Sequence, residues 1–504
     1  MRKFRWLMIA TLAFAATASG FWSGTVQDQV ISQDDNMLGW YPRMAVDAYG
    51  RIHVVWNERV VNLPLQHEIH YSRSADNGRT WSAMGGDIII SFNDGINAEY
   101  PSAIAVDSHN SIYVVWPEKD PDIKEIHYSI STDAGISWSG QTGDHILSYP
   151  GGTDANNPAM AIDLNNVIHV VWNQTWQGGT TEIYYSRSTD GGNTWSSQSV
   201  ETIISFPDGE NATTPDIAVG PANEICVVFR ETHDSLSTHN VINATISTNG
   251  GITWTGTSAD HPTTQAIRIA QYPHVEIDPD GNMHATFHGT QSLASPYHYE
   301  IYYTRSSDGG TTWSGLIADR VISYWEPDGP SASNPNMGMD HCGNPLVIWN
   351  ENHIGDYDEI HISASTDGGV TWSGEFQDEI VSFPDNHPAY RPFIVAGIDD
   401  TLHVTWEEVT TTSYYQMHYS RGDPLCIPGL EAIDDLTIRS SGNDIILDWD
   451  IIPDATGYKI YRSDNPGFEP TPSDSIGYTT SNTFTDPNIV SDNVAKFYNV
   501  KAEN

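Results

Sequence analysis

An eight-residue pattern, Ser-x-Asp-x-Gly-x-Thr-Trp, recurs six times along the chain. The copies run from Ser74 to Trp81, Ser131 to Trp138 (Ser137 for Thr), Ser188 to Trp195, Ser247 to Trp254 (Asn249 for Asp), Ser306 to Trp313 and Ser365 to Trp372. Their third positions are spaced by 57, 57, 59, 59 and 59 residues. A period of that length means one supersecondary unit per copy, each burying its apolar face on its neighbours. A second pattern, typified by Ile52-His53-Val54-Val55-Trp56, closes at Trp56, Trp116, Trp172, Phe229, Phe287, Trp349 and Trp406, which makes seven copies. Each repeat reads as four short strands. In the first repeat, a is Pro42 to Asp47, b is Arg51 to Trp56, c is Glu68 to Ser72, and d is Asp87 to Phe92, after the octapeptide turn. Strand b is apolar on both faces, as expected of a sheet stacked between two others. Gln29-Val30-Ile31-Ser32 looks like a d strand that precedes the first a strand, and the seventh repeat stops after its c strand at Ser420. The N-terminal strand is therefore expected to complete the last sheet and remove its exposed edge. The expected fold is all-β, a seven-bladed β-propeller over residues 27–424, and 41 Gly, 28 Pro and only 17% charged residues exclude a helical or coiled-coil protein.

The ends of the chain read differently. Arg2, Lys3 and Arg5 precede an apolar run from Trp6 to Ala16 and small residues at Ala18, Ser19 and Gly20, which predicts an export signal over residues 1–20. A secreted, periplasmic or cell-surface protein is expected, and no later stretch is apolar enough to span a bilayer. With 65 acidic against 22 basic residues, a net charge of -43 excludes nucleic acid as a main partner. Three cysteines, Cys226, Cys342 and Cys426, are too few for a disulfide scaffold and wrongly spaced for zinc. Cys342 and Cys426 fall on the same face of adjacent repeats, so a disulfide between them is expected, with Cys226 a free buried thiol. After a linker at 425–432, residues 433–504 alternate as strands of a small β-sandwich, among them Ile445 to Trp449, Tyr458 to Tyr461 and Phe497 to Val500.

The octapeptide matches the Asp-box, or BNR repeat, of the sialidase-like superfamily, and the C-terminal stretch resembles a fibronectin type III module, with Trp449 and Tyr458 where its core aromatics sit. The first resemblance implies a glycan-directed protein with a glycan or glycoprotein partner. Two readings stay open: a glycoside hydrolase of exo-sialidase type, and a non-catalytic adhesin or lectin-like propeller. Sialidases hold the substrate carboxylate with three arginines and use a Tyr nucleophile. Their Phe/Tyr-Arg-Ile-Pro motif is absent here, where Tyr41-Pro42-Arg43-Met44 has the order altered, and they have six blades rather than seven. Tyr41, Tyr100, Tyr272 and Tyr390 include possible nucleophiles, although their repetition favours structure.

Topology separates two faces. The c to d and a to b turns, with the Asp-boxes, lie on one, and the d to a and b to c loops on the other, which is the candidate binding face. The recurring His53, His169, His284 and His403 of strand b, and His70, His127, His361 and His418 of strand c, are assigned to packing and hydrogen bonding. Binding residues are instead those that break the repetition on the loop face: Trp40, Arg43, Trp176, Arg230, His288, Trp325 and Arg391. Glu58 and Glu351 are the first acid candidates for catalysis. No metal ligand set or cofactor is read, although the acidic rim suits weak calcium binding.

Overall fold

The computed structural model describes residues 22–25, 28–33, 37–60, 63–120, 122–149, 152–175, 179–232, 240–265, 269–290, 298–324, 331–352, 357–375, 379–409, 414–425, 436–449, 457–463, 475–487 and 496–503. Trp176, Trp325 and Cys426 lie outside them. The chain divides into two compact units, Met1–Cys426 and Ile427–Asn504. Among the described residues no helix is long and apolar enough to cross a membrane.

The first unit is all-β. It holds seven antiparallel sheets among the described residues, five of four strands and two of three. In the first sheet the strands are Gly39–Val46, Ile52–Val60, Leu63–Ser74 and Ile88–Ile89, paired in that order. Strand b is buried from Ile52 through Glu58, consistent with a sheet covered on both faces. Repeats two and four depart from the four-strand reading, since their d segments reduce to single bridges, His127 with Ile146 and Asn243 with Pro262. In repeat four the proline has no N–H to extend the ladder. The a strand of each sheet neighbours that of the next, and Ala389–Ala396 of the seventh neighbours Gly39–Val46 of the first.

The seventh sheet is completed from the other end of the unit. Gln29 and Val30 pair antiparallel with Tyr419 and His418, and the Ile31 N–H donates to Met417 O at 2.8 Å. Trp22 bridges to Gly422 and is buried. The Gly24 N–H donates to Ser420 Oγ and the Arg421 N–H to Ser23 Oγ, both at 2.8 Å. The turn after each Asp-box makes the same pair of bonds: in repeat two, Gly140 N–H to Ser129 Oγ and Ile130 N–H to Ser139 Oγ. Trp22-Ser23-Gly24 thus supplies the closing tripeptide that the seventh repeat lacks.

The boxes are structural throughout. In the first, Ser74 Oγ accepts the Gly78 N–H at 2.9 Å and Asp76 Oδ1 accepts the Thr80 N–H at 2.8 Å. The histidines of strand b support them. His53 Nδ1 lies 2.7 Å from the Tyr71 hydroxyl and Nε2 3.2 Å from Asp47 Oδ2. His169 with Tyr185, His284 with Tyr303 and His403 with Tyr419 repeat the 2.7 Å contact. Each tyrosine reaches the following box, as Tyr71 does against Trp138 at 5.0 Å, edge to face. A Cβ on Gly135, at φ +78°, would fall 1.9 Å from the Tyr71 hydroxyl. Gly135→Ala is therefore expected to destabilise the unit by about 2–4 kcal/mol through overpacking and left-handed backbone strain, measured by urea unfolding. An unchanged midpoint would show that this contact is dispensable.

The second unit pairs Thr437–Ser441, Asp444–Asp448 and Thr483–Asp486 in one sheet and Ser475–Thr479, Gly457–Ser463 and Phe497–Glu503 in another. Leu447, Trp449, Tyr458, Ile460 and Val500 form its buried core. In the first unit Cys226 is a free buried thiol, and Cys342 is disulfide-bonded.

Candidate functional site

Six of the seven a strands carry the same irregularity, a register shift at an X-Pro step. The residue before proline has φ near +50° in each: Tyr41, Asn157, Thr214, Tyr272, Asn334 and Arg391. In the second sheet the Tyr100-Pro101 bond is cis. Left-handed backbone costs a non-glycine residue on the order of 1–3 kcal/mol, and proline already bars its predecessor from the right-handed helical region. Side chains from strand b of the preceding sheet hold the bulge. Glu407 accepts the Tyr41 N–H at 2.8 Å, Asn173 Oδ1 the Thr214 N–H at 3.3 Å, and His288 Nδ1 the Asn334 N–H at 3.3 Å.

The bulge residues line a cavity of about 430 Å³ between the seven a strands. Tyr41 and Tyr100 stack with ring centroids 4.5 Å apart, and the Arg391 guanidinium lies 4.3 Å from the Tyr41 ring on an ion pair with Glu407. Guanidinium and two rings thus form one ledge across three sheets.

At one position of the a strands, the residue after the proline in six sheets and Ala103, two after Pro101, in the second, stand Arg43, Ala103, Ala159, Asp216, His274, Asn336 and Phe393 in sheets one to seven. Arg43 lies 5.2 Å from the Phe393 ring, and among the described residues it makes no ion pair. Burial opposes its charge, partly countered by Asp216. His274 is oriented by Asn336, whose amide nitrogen lies 2.6 Å from Nε2, while its Nδ1 lies 3.3 Å from Asp216 Oδ2. An amide N–H donating to Nε2 fixes a neutral imidazole with its proton on Nδ1, and burial lowers its pKa accordingly. Glu276, two residues further on, is pushed up to about 8 by burial and then by the Asp216 charge. It therefore carries a proton at neutral pH, beside a carboxylate in the same cavity.

The Glu276 shift predicts a pH effect on stability. A carboxyl group whose folded pKa exceeds its unfolded value of 4.5 stabilises the fold fully below that value, and the contribution is lost as pH rises towards 8. Thermal melts should show a smaller decline between pH 5 and 8 in Glu276→Gln than in the parent. Parallel pH profiles would refute the protonated state.

Of the residues anticipated from sequence, Arg43 and Arg391 line the cavity. His288 sits beneath it, its ring 5.2 Å from Tyr272, with burial and then Arg230 pushing its pKa down to about 3. Trp40 lies in the first a strand, edge-on to His67 at 5.2 Å, 5.6 Å from Arg59 and 6.4 Å from the Tyr100 ring. Arg230 lies on strand b opposite Thr213 and outside the cavity wall. Glu58 and Glu351 are buried and accept the indole N–H of Trp56 and Trp349, each at 2.6 Å. Glu118 and Glu408 do the same for Trp116 and Trp406. Sequence reasoning passed over Asp216, His274, Glu276 and Asn336. The signal was available: a proline repeated in seven a strands, followed by a residue that varies from Ala to Arg, Asp and His.

Residues 144–378 match the BNR repeat-containing family. No curated protein matches the chain. Among solved structures it is similar to an ulvan lyase of polysaccharide lyase family PL25, 12% identical over 79% of this chain and 95% of that one, at a TM-score of 0.55. The structure of such a lyase bound to -[GlcA(1-4)Rha3S]- gives the same identity and coverage at 0.54. An α-L-arabinanase of Penicillium chrysogenum complexed with arabinobiose is 13% identical over 79% and 97%, with a TM-score of 0.46. The likeness to the lyase is one of fold, and the match to the BNR repeat-containing family is confined to residues 144–378.

Proposed function

We propose that this is an exported, glycan-directed protein of the sialidase-like kind. Its first unit is a seven-bladed propeller closed by the N-terminal strand, and its second is a fibronectin type III-like sandwich. Its ligand is a carboxylated saccharide held in the cavity between the a strands. The observation that carries this reading is the asymmetric wall of that cavity. Strand packing asks only for small residues at this position, as Ala103 and Ala159 show, yet the other five sheets carry Arg43, Asp216, His274, Asn336 and Phe393 there. The Tyr41–Tyr100 ledge suits the apolar face of a sugar ring, and Arg43, without an ion-pair partner among the described residues, suits its carboxylate. The solved lyase of like fold is bound to -[GlcA(1-4)Rha3S]-, and its glucuronate supports an acidic sugar here.

A second reading, hydrolysis, is favoured by Glu276. A protonated carboxyl beside the Asp216 carboxylate matches the acid and base roles of a glycosidase. Three arginines for a sialidase clamp are not assembled among the described residues, since Arg391 is neutralised by Glu407. A glycan array run beside a panel of chromogenic glycosides, including a sialoside and a glucuronide, tests both. Binding of acidic glycans without turnover leaves the lectin-like reading; turnover lost in Glu276→Gln establishes the hydrolase. Binding of neither acidic nor neutral glycans would overturn the proposal.

A further inference from the structure

The strand c histidines behave unlike those of strand b. His127, in the second repeat, is fully buried, and neither ring nitrogen has a hydrogen-bond partner. Its Nδ1 lies 3.8 Å from Glu118 Oε1 and 3.7 Å from Asp144 Oδ1, both equally unpartnered. The arrangement recurs. His70 Nδ1 is 3.7 Å from Glu58 Oε1 and 3.5 Å from Asp87 Oδ2, and His418 Nδ1 is 3.6 Å from Glu408 Oε1 and 3.8 Å from Asp28 Oδ2. These distances exceed a hydrogen bond, yet in each group all three donor atoms converge within 4.8 Å.

Repeat three shows what the fold does without the histidine. There the same slots hold Gln174, Tyr184 and Glu201, and the Gln174 amide donates directly to Glu201 Oε1 at 3.1 Å. In repeat four the Asn243 amide donates to Glu231. An amide closes the gap by itself; the histidine repeats leave a gap between three ligand atoms. Ligands about 2.1 Å from a tetrahedral cation sit about 3.4 Å apart, whereas three partners of a tetrahedral water at about 2.8 Å sit about 4.6 Å apart. The observed histidine-to-carboxylate spacings lie nearer the first value.

We propose that Glu118, His127 and Asp144 bind a divalent transition-metal cation of the zinc class, and that Glu58, His70 and Asp87, and Glu408, His418 and Asp28, bind one each in the same way. The imidazole favours zinc over calcium or magnesium. The remaining carboxylate oxygens of Glu58, Glu118 and Glu408 are oriented by the indoles of Trp56, Trp116 and Trp406, the outer support that metal-bound carboxylates use. Each cation would tie strands b, c and d of one sheet together, and in the seventh sheet it would fasten the N-terminal segment through Asp28.

The test uses the mature full chain, stripped with chelator, titrated with Zn²⁺ by calorimetry and assayed for metal after gel filtration in millimolar Ca²⁺ and Mg²⁺. At least three Zn²⁺ per chain are expected. H127Y, which places the residue found at Tyr184 and Tyr302, should retain one fewer, and H70Y/H127Y/H418Y three fewer. Should a variant misfold, Co²⁺ absorption bands of the unaltered chain, displaced by Zn²⁺, give the second readout. A parent that retains no Zn²⁺ and shows no Co²⁺ bands, or an H127Y chain that retains as much as the parent, overturns the proposal. Neither result bears on glycan binding.

Discussion

Trp22→Ala is expected to destabilise the first unit by about 3–5 kcal/mol, the range for truncating a buried aromatic. Trp22 is buried in the cluster that contains Val381, Trp406 and Leu402, so its loss leaves a hole beside strand b of the seventh sheet. Removing residues 22–32 should act more severely, since it strips the ladder partner from Tyr415–Gly422 and exposes a strand edge 398 residues away in sequence from Ser23. Thermal melts and light scattering would show a lower midpoint for the substitution and aggregation for the deletion. A shortened chain that melts like the parent and stays monodisperse would refute closure by the N-terminus. The result has a practical corollary: a tag fused directly to Trp22 should be poorly tolerated.

Arg43→Ala should weaken binding of a carboxylated saccharide by roughly 10- to 150-fold, the loss of a hydrogen-bonded charge contact worth about 1.5–3 kcal/mol. Binding of a neutral saccharide should hardly change. Arg391→Ala should affect both, because that guanidinium supports the Tyr41 ring and neutralises Glu407 rather than waiting for an anion. Calorimetry with paired acidic and neutral oligosaccharides separates these outcomes. Equal losses for both ligands in Arg43→Ala would remove the carboxylate from the proposal and leave a neutral-glycan site.

Much of the architecture could be read one residue type at a time. The Asp-boxes announced the repeat, because Ser, Asp, Gly and Trp each meet a local need of one turn, and local needs leave local signatures. The strand b histidines were legible as structure because they recur, and each is bonded to a tyrosine of its own sheet. The strand c histidines recur as well, and repetition does not separate two cases: a slot can repeat because the fold needs it or because each repeat builds the same site. Trp22 went unread because the strand it completes lies at the other end of the chain, and adjacency of sequence ends is created only by closure.

The sequence by itself determined the period, the all-β class and the alternation of strands and turns, since these follow from short-range pattern, and the d strand missing from the last repeat pointed to Gln29-Val30 as its partner. Which residues face one another across the cavity was decided by the tertiary structure alone. Arg43, Asp216, His274 and Arg391 are separated by 58 to 348 residues and share no motif. They meet because a left-handed residue before the proline turns six of the seven a strands inward at the same height, and only the stacking of sheets through space brings those positions around one volume.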